Sequence, residues 1–148
     1  MRFVVDTSIV IKWVVEEGDS QDALALRKRH GLIAPDLLIA EFGNVLRTKL
    51  RAGDLDVERA EVAARSLVVA GIDLRPMSAL LLPALRLATQ LQHPAYDCFY
   101  LALALAETCP LVTVDERFLK AVVRHGAAEH RAACISLADA INWKPKRL

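Results

Sequence analysis

The chain opens on three apolar residues, Phe3-Val4-Val5, two of them β-branched, and the run stops on a carboxylate, Asp6. This pattern predicts a short buried strand. Thr7 and Ser8 suit a helix N-cap, and the apolar stretch Ile9 to Val15 predicts a buried helix behind them. The device returns late in the chain. Leu111-Val112-Thr113-Val114 reads as a second apolar strand that ends on Asp115 and leads into a helix over Glu116 to His125. One strand-end Asp often does no more than cap the next helix; two of them raise the prospect of a shared site.

Between these strands the apolar spacing alternates elements. Asp19-Ser20 offers a cap for a helix to Arg29, and Leu32-Ile33-Ala34 reads as a short strand before Pro35. A helix from Asp36 to Arg51 carries Leu37, Leu38, Phe42, Val45 and Leu46 on one face, and Glu41 falls within that face. Asp56 caps a helix to about Ala70, Ile72 to Arg75 alternates like a strand, and Ser78 opens a helix through Leu91 with Pro83 in its first turns. His93-Pro94-Ala95-Tyr96-Asp97 starts a helix to Glu107 that is apolar nearly all round and is expected to be central. Ala133-Cys134-Ile135 and Leu137 to Ile141 complete the pattern as a strand and a brief helix. Alternating strands and helices predict an α/β fold, a three-layer α/β/α sandwich around a central, mainly parallel sheet. The 148 residues fit one domain, 1–148, without internal repeats or a linker.

Composition narrows the function classes. A net charge of +1 excludes whole-molecule electrostatic capture of nucleic acid, so a polyanion must be held locally or through metal. The basic runs at residues 27–30, at 47–51 and in the tail at 144–147 read as solvated ends. No apolar run approaches the ~20 residues that span a bilayer. No secretory leader is expected, since Arg2 leads straight into a strand. Cys98, Cys109 and Cys134 are odd in number and scattered, which fits buried thiols in a reducing cytoplasm.

Four carboxylates carry the candidate chemistry. Asp6 and Asp115 end strands, where a parallel sheet presents its ligand edge. Asp97 lies in a helix's first turn, where the dipole alone would account for an acid. Glu41 is costly to bury unpaired, and either a salt bridge or a shared metal would rescue it. If the four converge they repel and raise one another's pKa, a conflict that a hard cation such as Mg²⁺ or Mn²⁺ resolves. Rival chemistries fit less well. Strand-end phosphatases of the haloacid dehalogenase kind want a second Asp two residues on, where Ser8 stands, and receiver domains want adjacent acids near the N-terminus. His30, His93, His125 and His130 are scattered, which argues against a histidine-based nuclease. A catalytically silent scaffold that only binds RNA or protein would not need all four acids.

Val5-Asp6-Thr7-Ser8, Pro35 with Glu41-Phe42-Gly43-Asn44-Val45-Leu46, Tyr96-Asp97-Cys98-Phe99-Tyr100-Leu101-Ala102, and Thr113-Val114-Asp115-Glu116-Arg117-Phe118 resemble the PIN-domain signature. The likeness is to the VapC-type toxins of bacterial and archaeal toxin–antitoxin pairs, and it runs from Arg2 to the end of the chain. It implies a metal-dependent endoribonuclease that leaves 5′-phosphate and 3′-hydroxyl ends. Asp6, Glu41, Asp97 and Asp115 would be its metal-binding acids for Mg²⁺ or Mn²⁺, with Thr113, and Thr7 or Ser8, supporting the ligands or a water. Some relatives carry a further acid shortly after the last Asp; here Glu116 is adjacent and Arg117 and Phe118 follow. The resemblance also implies a small antitoxin whose arm covers the acids, and a homodimer that forms an RNA groove. The acid cluster gives a physical reason for a basic inhibitor, because a guanidinium fork matches carboxylates.

Overall fold

The computed structural model describes residues 1–144; beyond Lys144, the expected basic tail at residues 144–147 lies outside the described residues. Five parallel strands form one sheet: β1 (Arg2–Val5), β2 (Gly31–Pro35), β3 (Asp73–Arg75), β4 (Leu111–Val112) and β5 (Cys134–Ile135), in the order β3-β2-β1-β4-β5. Phe3, Val4 and Val5 are fully buried. A strand apolar on both faces belongs in the middle of a parallel sheet covered by helices on both sides. β1 takes that place, with Val4 in register with Ile33 of β2 and with Leu111 of β4.

Nine helices among the described residues flank the sheet as the outer layers of an α/β/α sandwich. They are α1 (Thr7–Val10), α2 (Ser20–Arg29), α3 (Leu37–Ala52), α4 (Val57–Val68), α5 (Leu81–Leu91), α6 (Ala95–Glu107), α7 (Glu116–His125), α8 (Ala128–Ala133) and α9 (Leu137–Ile141). α6 packs on β1, β2 and β4 and against α5, burying Cys98, Tyr100, Leu101, Ala102, Leu103 and Ala104 as its all-round apolar pattern predicts. The chain winds outward from β1 through β2 to β3, then returns across it to β4 and β5. The order therefore reverses between β1 and β4. In open parallel sheets that reversal opens a crevice beyond the strands' carboxyl ends.

Several local expectations need correction. The helix expected over Ile9 to Val15 starts at Thr7 and lasts one turn before a 3₁₀ turn at Ile11–Trp13. Its cap is Asp6 rather than Thr7 or Ser8: Asp6 Oδ1 accepts from the Ser8 amide at 3.1 Å. The helix stops early because Lys12 is buried and its ammonium reaches Glu17 Oε2 at 2.5 Å and Asp19 Oδ1 at 2.8 Å, folding the following loop back over it. Asp19 therefore pairs with Lys12 instead of capping α2 with its side chain. The helix expected from Asp36 starts at Leu37, and the Asp36 side chain accepts from the Met77 amide at 3.1 Å; Asp56 caps α4 as expected, through the Arg59 amide at 2.8 Å. Pro83 is the third residue of α5, where its missing N–H costs no helical bond.

β4 is also shorter than expected. It ends at Val112, and Thr113 and Val114 leave the ladder for reasons that belong to the site. α8 was not foreseen. The run at residues 27–30 is less solvated than expected: Arg27 lies 5.0 Å from the Trp13 ring centre, and His30 packs edge-on against Phe3. Cys98 and Cys109 are buried and free, while Cys134 is only half-buried. No helix among the described residues is long and apolar enough to cross a membrane.

Candidate functional site

Asp6, Glu41, Asp97 and Asp115 line one cavity of about 540 Å³. It lies at the carboxyl ends of β1 and β4, where the strand order reverses. Each acid arrives on a different element and each is held by its own donor.

Asp6 follows the last residue of β1 and is 7% exposed. Its Oδ1 accepts from the Ser8 amide at 3.1 Å and the Ser8 hydroxyl at 2.5 Å, and its Oδ2 accepts from the Thr113 hydroxyl. A hydroxyl has a single proton to give. Ser8 and Thr113 both spend it on Asp6, which leaves their oxygens as acceptors: Ser8 Oγ takes the Val114 amide at 3.1 Å and Thr113 Oγ1 takes the Asp115 amide at 3.1 Å. These bonds divert the backbone after Val112 out of the ladder and bring Asp115 back toward Asp6. Asp115 then caps α7, with Oδ1 accepting from the Phe118 amide at 3.1 Å.

Asp97 is the third residue of α6, and its Oδ2 lies 2.6 Å from His93 Nε2. The left-handed Gln92 (φ 52°) ends α5 and reverses the chain, and Pro94 starts α6, so His93 folds over the new helix onto its first-turn acid. The His93 ring packs on Phe118 at 5.4 Å between centres. Glu41, in the second turn of α3, receives the Tyr100 hydroxyl through Oε1. Of the two rescues open to Glu41 in the sequence, a salt bridge or a shared metal, the salt bridge is not formed among the described residues; its protein partner is a phenol from the central helix.

Like charges and burial set the electrostatics. Burial raises the Asp6 pKa to about 6, opposed by the Ser8 and Thr113 bonds and reinforced by Asp97 and Asp115. Burial also lifts Glu41, against the Tyr100 bond, with Asp97 and Asp115 adding to the rise. Asp97 is raised by burial, partly relieved by the His93 bond, and further raised by Asp115. Its charge also feels the exposed Arg117. The pocket thus holds negative charge at a cost, as a cation receptor would.

The donor set is all hard oxygen, the choice of Mg²⁺ and Mn²⁺. With the bonds above in place, Asp97 Oδ1, Asp115 Oδ2 and Glu41 Oε2 accept no hydrogen bond among the described residues. Among the described residues no three His, Cys, Asp or Glu side chains are gathered tightly enough to close round a bare ion. The cavity's size instead suits an ion that keeps several waters, as Mg²⁺ does. Glu116 is exposed and does not line the cavity.

Sequence reasoning set aside His93 among the scattered histidines and passed over Tyr100. The signal for His93 was present: a His four residues before an Asp at a helix start. Tyr100 lies 59 residues from Glu41, and no local pattern links them. Because the Phe118 ring is buried beneath His93, Phe118→Ala is expected to cost about 3–5 kcal/mol. Urea unfolding measures it; a loss under 1 kcal/mol would mean that this ring does not brace the site.

Residues 3–124 match the PIN domain family model. Ribonuclease VapC1 of Mycobacterium tuberculosis, in strains CDC 1551 / Oshkosh and ATCC 25618 / H37Rv, is 34% identical over 121 residues, covering 80% of this chain and 89% of the relative. Among solved structures, PAE2754 from Pyrobaculum aerophilum superposes with a TM-score of 0.68 at 19% identity, over 96% of this chain and 93% of that one. VapBC2 from Rickettsia felis, solved bound to a DNA fragment from its promoter, superposes at 0.59 and 16% identity, over 81% of this chain and 92% of that one. These two likenesses concern the fold; the family match and the VapC1 identity concern descent. With its parallel sheet and its four acids at the β1/β4 crevice, the chain belongs to the PIN-domain family, on its VapC branch.

Proposed function

We propose that this protein is a Mg²⁺- or Mn²⁺-dependent endoribonuclease and the toxin of a type II toxin–antitoxin pair, acting in the cytoplasm as a homodimer. The observation that carries the reading is the gathering of Asp6, Glu41, Asp97 and Asp115 from four separate elements onto one cavity. The VapC1 relative, named a ribonuclease, supplies the substrate class.

In this reading Asp6, Asp97, Asp115 and Glu41 hold the cation. A divalent ion bound by oxygens neutralises charge on a phosphoryl group and makes water a better nucleophile near neutral pH. Thr113 and Ser8 fix both oxygens of Asp6, so the carboxylate cannot rotate as charge develops. His93 orients Asp97 and leaves Oδ1 toward the cavity; Tyr100 does the same for Glu41, leaving Oε2. Thr113 is thus a positioning residue, and the four acids are the catalytic set. The test is cleavage of single-stranded RNA by the purified chain with Mg²⁺ or Mn²⁺, in chelator, and as Asp6→Asn. Activity that persists in chelator or in the variant would sink the reading. A catalytically silent scaffold would show neither activity nor metal response.

The same charge arrangement suits inhibition by a small partner that inserts an Arg or Lys among the acids. That cation and the metal would compete for overlapping oxygens. Raising Mg²⁺ is therefore expected to weaken the complex, and so is Asp115→Asn; titrating the dissociation constant against metal checks both. An affinity indifferent to metal and to Asp115 would place the inhibitor elsewhere.

A further inference from the structure

A cation held by the acids would account for a phosphate and nothing else of a nucleotide, yet the acids are only part of the cavity. Beyond Thr7 and Ser8, which adjoin Asp6, its remaining wall is built from Ile11, Leu37, Ala40 and Val45, with Asn44 and Tyr96. The two polar members of this wall follow helix geometry from the acids themselves. Asn44 lies three residues after Glu41 on α3, and Tyr96 four before Tyr100 on α6, spacings that place each pair on one helix face. Tyr100 reaches inward to Glu41; Tyr96, one turn nearer the helix start, reaches the mouth.

Tyr96 is conspicuous by its exposure. The chain has four Phe, two Tyr and two Trp. Tyr96 leaves 64% of its surface in solvent, and the next most exposed, Trp143, leaves 36%. It does so on the helix that is otherwise the most buried in the protein. Asn44 is also exposed, and its carboxamide has no hydrogen-bond partner among the described residues. An accessible ring and an uncommitted amide beside a phosphate-handling acid cluster match what proteins use for unpaired nucleotides: base stacking on aromatics, and hydrogen bonds to base edges.

We propose that Tyr96 and Asn44 form a base-binding wall: the nucleobase flanking the scissile phosphate stacks on the Tyr96 ring, and the Asn44 carboxamide hydrogen-bonds its edge. This rests on the ribonuclease reading and adds its substrate contacts. The two residues have different effects. Every base has a π-face, so Tyr96 contributes affinity without sequence preference. A carboxamide pairs with only some base edges, so Asn44 contributes preference at one nucleotide.

The test uses the full chain, Mg²⁺ and a pool of RNA dodecamers randomised in sequence, with fragment ends mapped and kinetics measured. Tyr96→Ala is expected to lower kcat/KM roughly 5- to 150-fold, mainly through KM and for all bases alike. Tyr96→Phe and Tyr96→Trp are expected to restore it, since both keep a stacking face. Asn44→Ala is expected to flatten the base preference at one position beside the cut and leave the others. Unchanged kinetics in Tyr96→Ala overturns the proposal, as does failure of Phe and Trp to rescue, or an Asn44→Ala profile identical to the parent. A parent chain that cleaves nothing in the pool removes the ribonuclease reading itself, and this inference with it.

Discussion

Replacing Asp6 with Asn is expected to lower kcat for RNA cleavage at least about a hundredfold, in the range seen when one preorganised electrostatic group is removed from an active site. Asp6 is the acid most firmly fixed by the fold, with three donors on two oxygens and almost no exposure. Asn keeps the shape and the Oδ1 acceptor but has no charge for a cation. Asp97→Asn is expected to behave alike, since His93 can still bond to the amide oxygen while the charge is lost. Single-turnover cleavage, with thermal melting as a folding control, measures both. A Tm that falls by several degrees in Asp97→Asn would instead make that residue mainly a structural part of the helix start.

The second expectation concerns stability. Burial holds the Asp6 pKa at about 6, above the ordinary 3.8. The folded protein therefore binds this proton more tightly than the unfolded chain does. Stability from the protonated group is full below about pH 4 and is lost as pH rises through about 6. A shift of about two units corresponds to about 3 kcal/mol, or about 6–12 °C in Tm for a chain of this length. Glu41 and Asp97 are raised as well, so the useful quantity is the difference between the parent and Asp6→Asn. In chelator, the variant is expected to gain on the parent by that amount between pH 4 and pH 7. Raised pKa values at Glu41 and Asp97 act in the same direction and remain in both proteins. Mn²⁺ at pH 7 is expected to restore the parent's Tm and leave the variant's nearly unmoved, because ligand binding to the folded state alone stabilises it. Parallel pH curves would mean that Asp6 ionises in the fold without penalty.

Much of this architecture could be read from local pattern. Phe3-Val4-Val5 is apolar on both faces, which places a strand in the middle of a covered sheet, and the all-round apolar α6 could only lie in the centre. Asp6 and Asp115 were visible because a strand that stops on a carboxylate before a helix is a local signal. The supports of the acids were harder to read. Glu41 and Tyr100 meet across 59 residues, and Asp6 and Thr113 across 107, so tertiary packing alone joins them. The end of β4 was misplaced for the same reason: Thr113 has strand propensity, but hydrogen bonding to Asp6 and Asp115 outweighs one more ladder pair. The early end of the first helix was hidden too, since apolar residues continue to Val15 while the burial of Lys12 among Glu17 and Asp19 turns the chain.

The chemistry of the fragment ends tests the central claim most directly. Hydrolysis by water, directed by an acid-held cation, breaks the bond to the 3′ oxygen and leaves a 5′-monophosphate and a 3′-hydroxyl. RNA cut by the purified chain in Mg²⁺ or Mn²⁺ is predicted to carry those ends, detected by ligation that requires a 5′-monophosphate, and to be absent with chelator or with Asp6→Asn. Fragments ending in a 2′,3′-cyclic phosphate, formed with metal removed, would show attack by the RNA's own 2′-hydroxyl and would contradict the account.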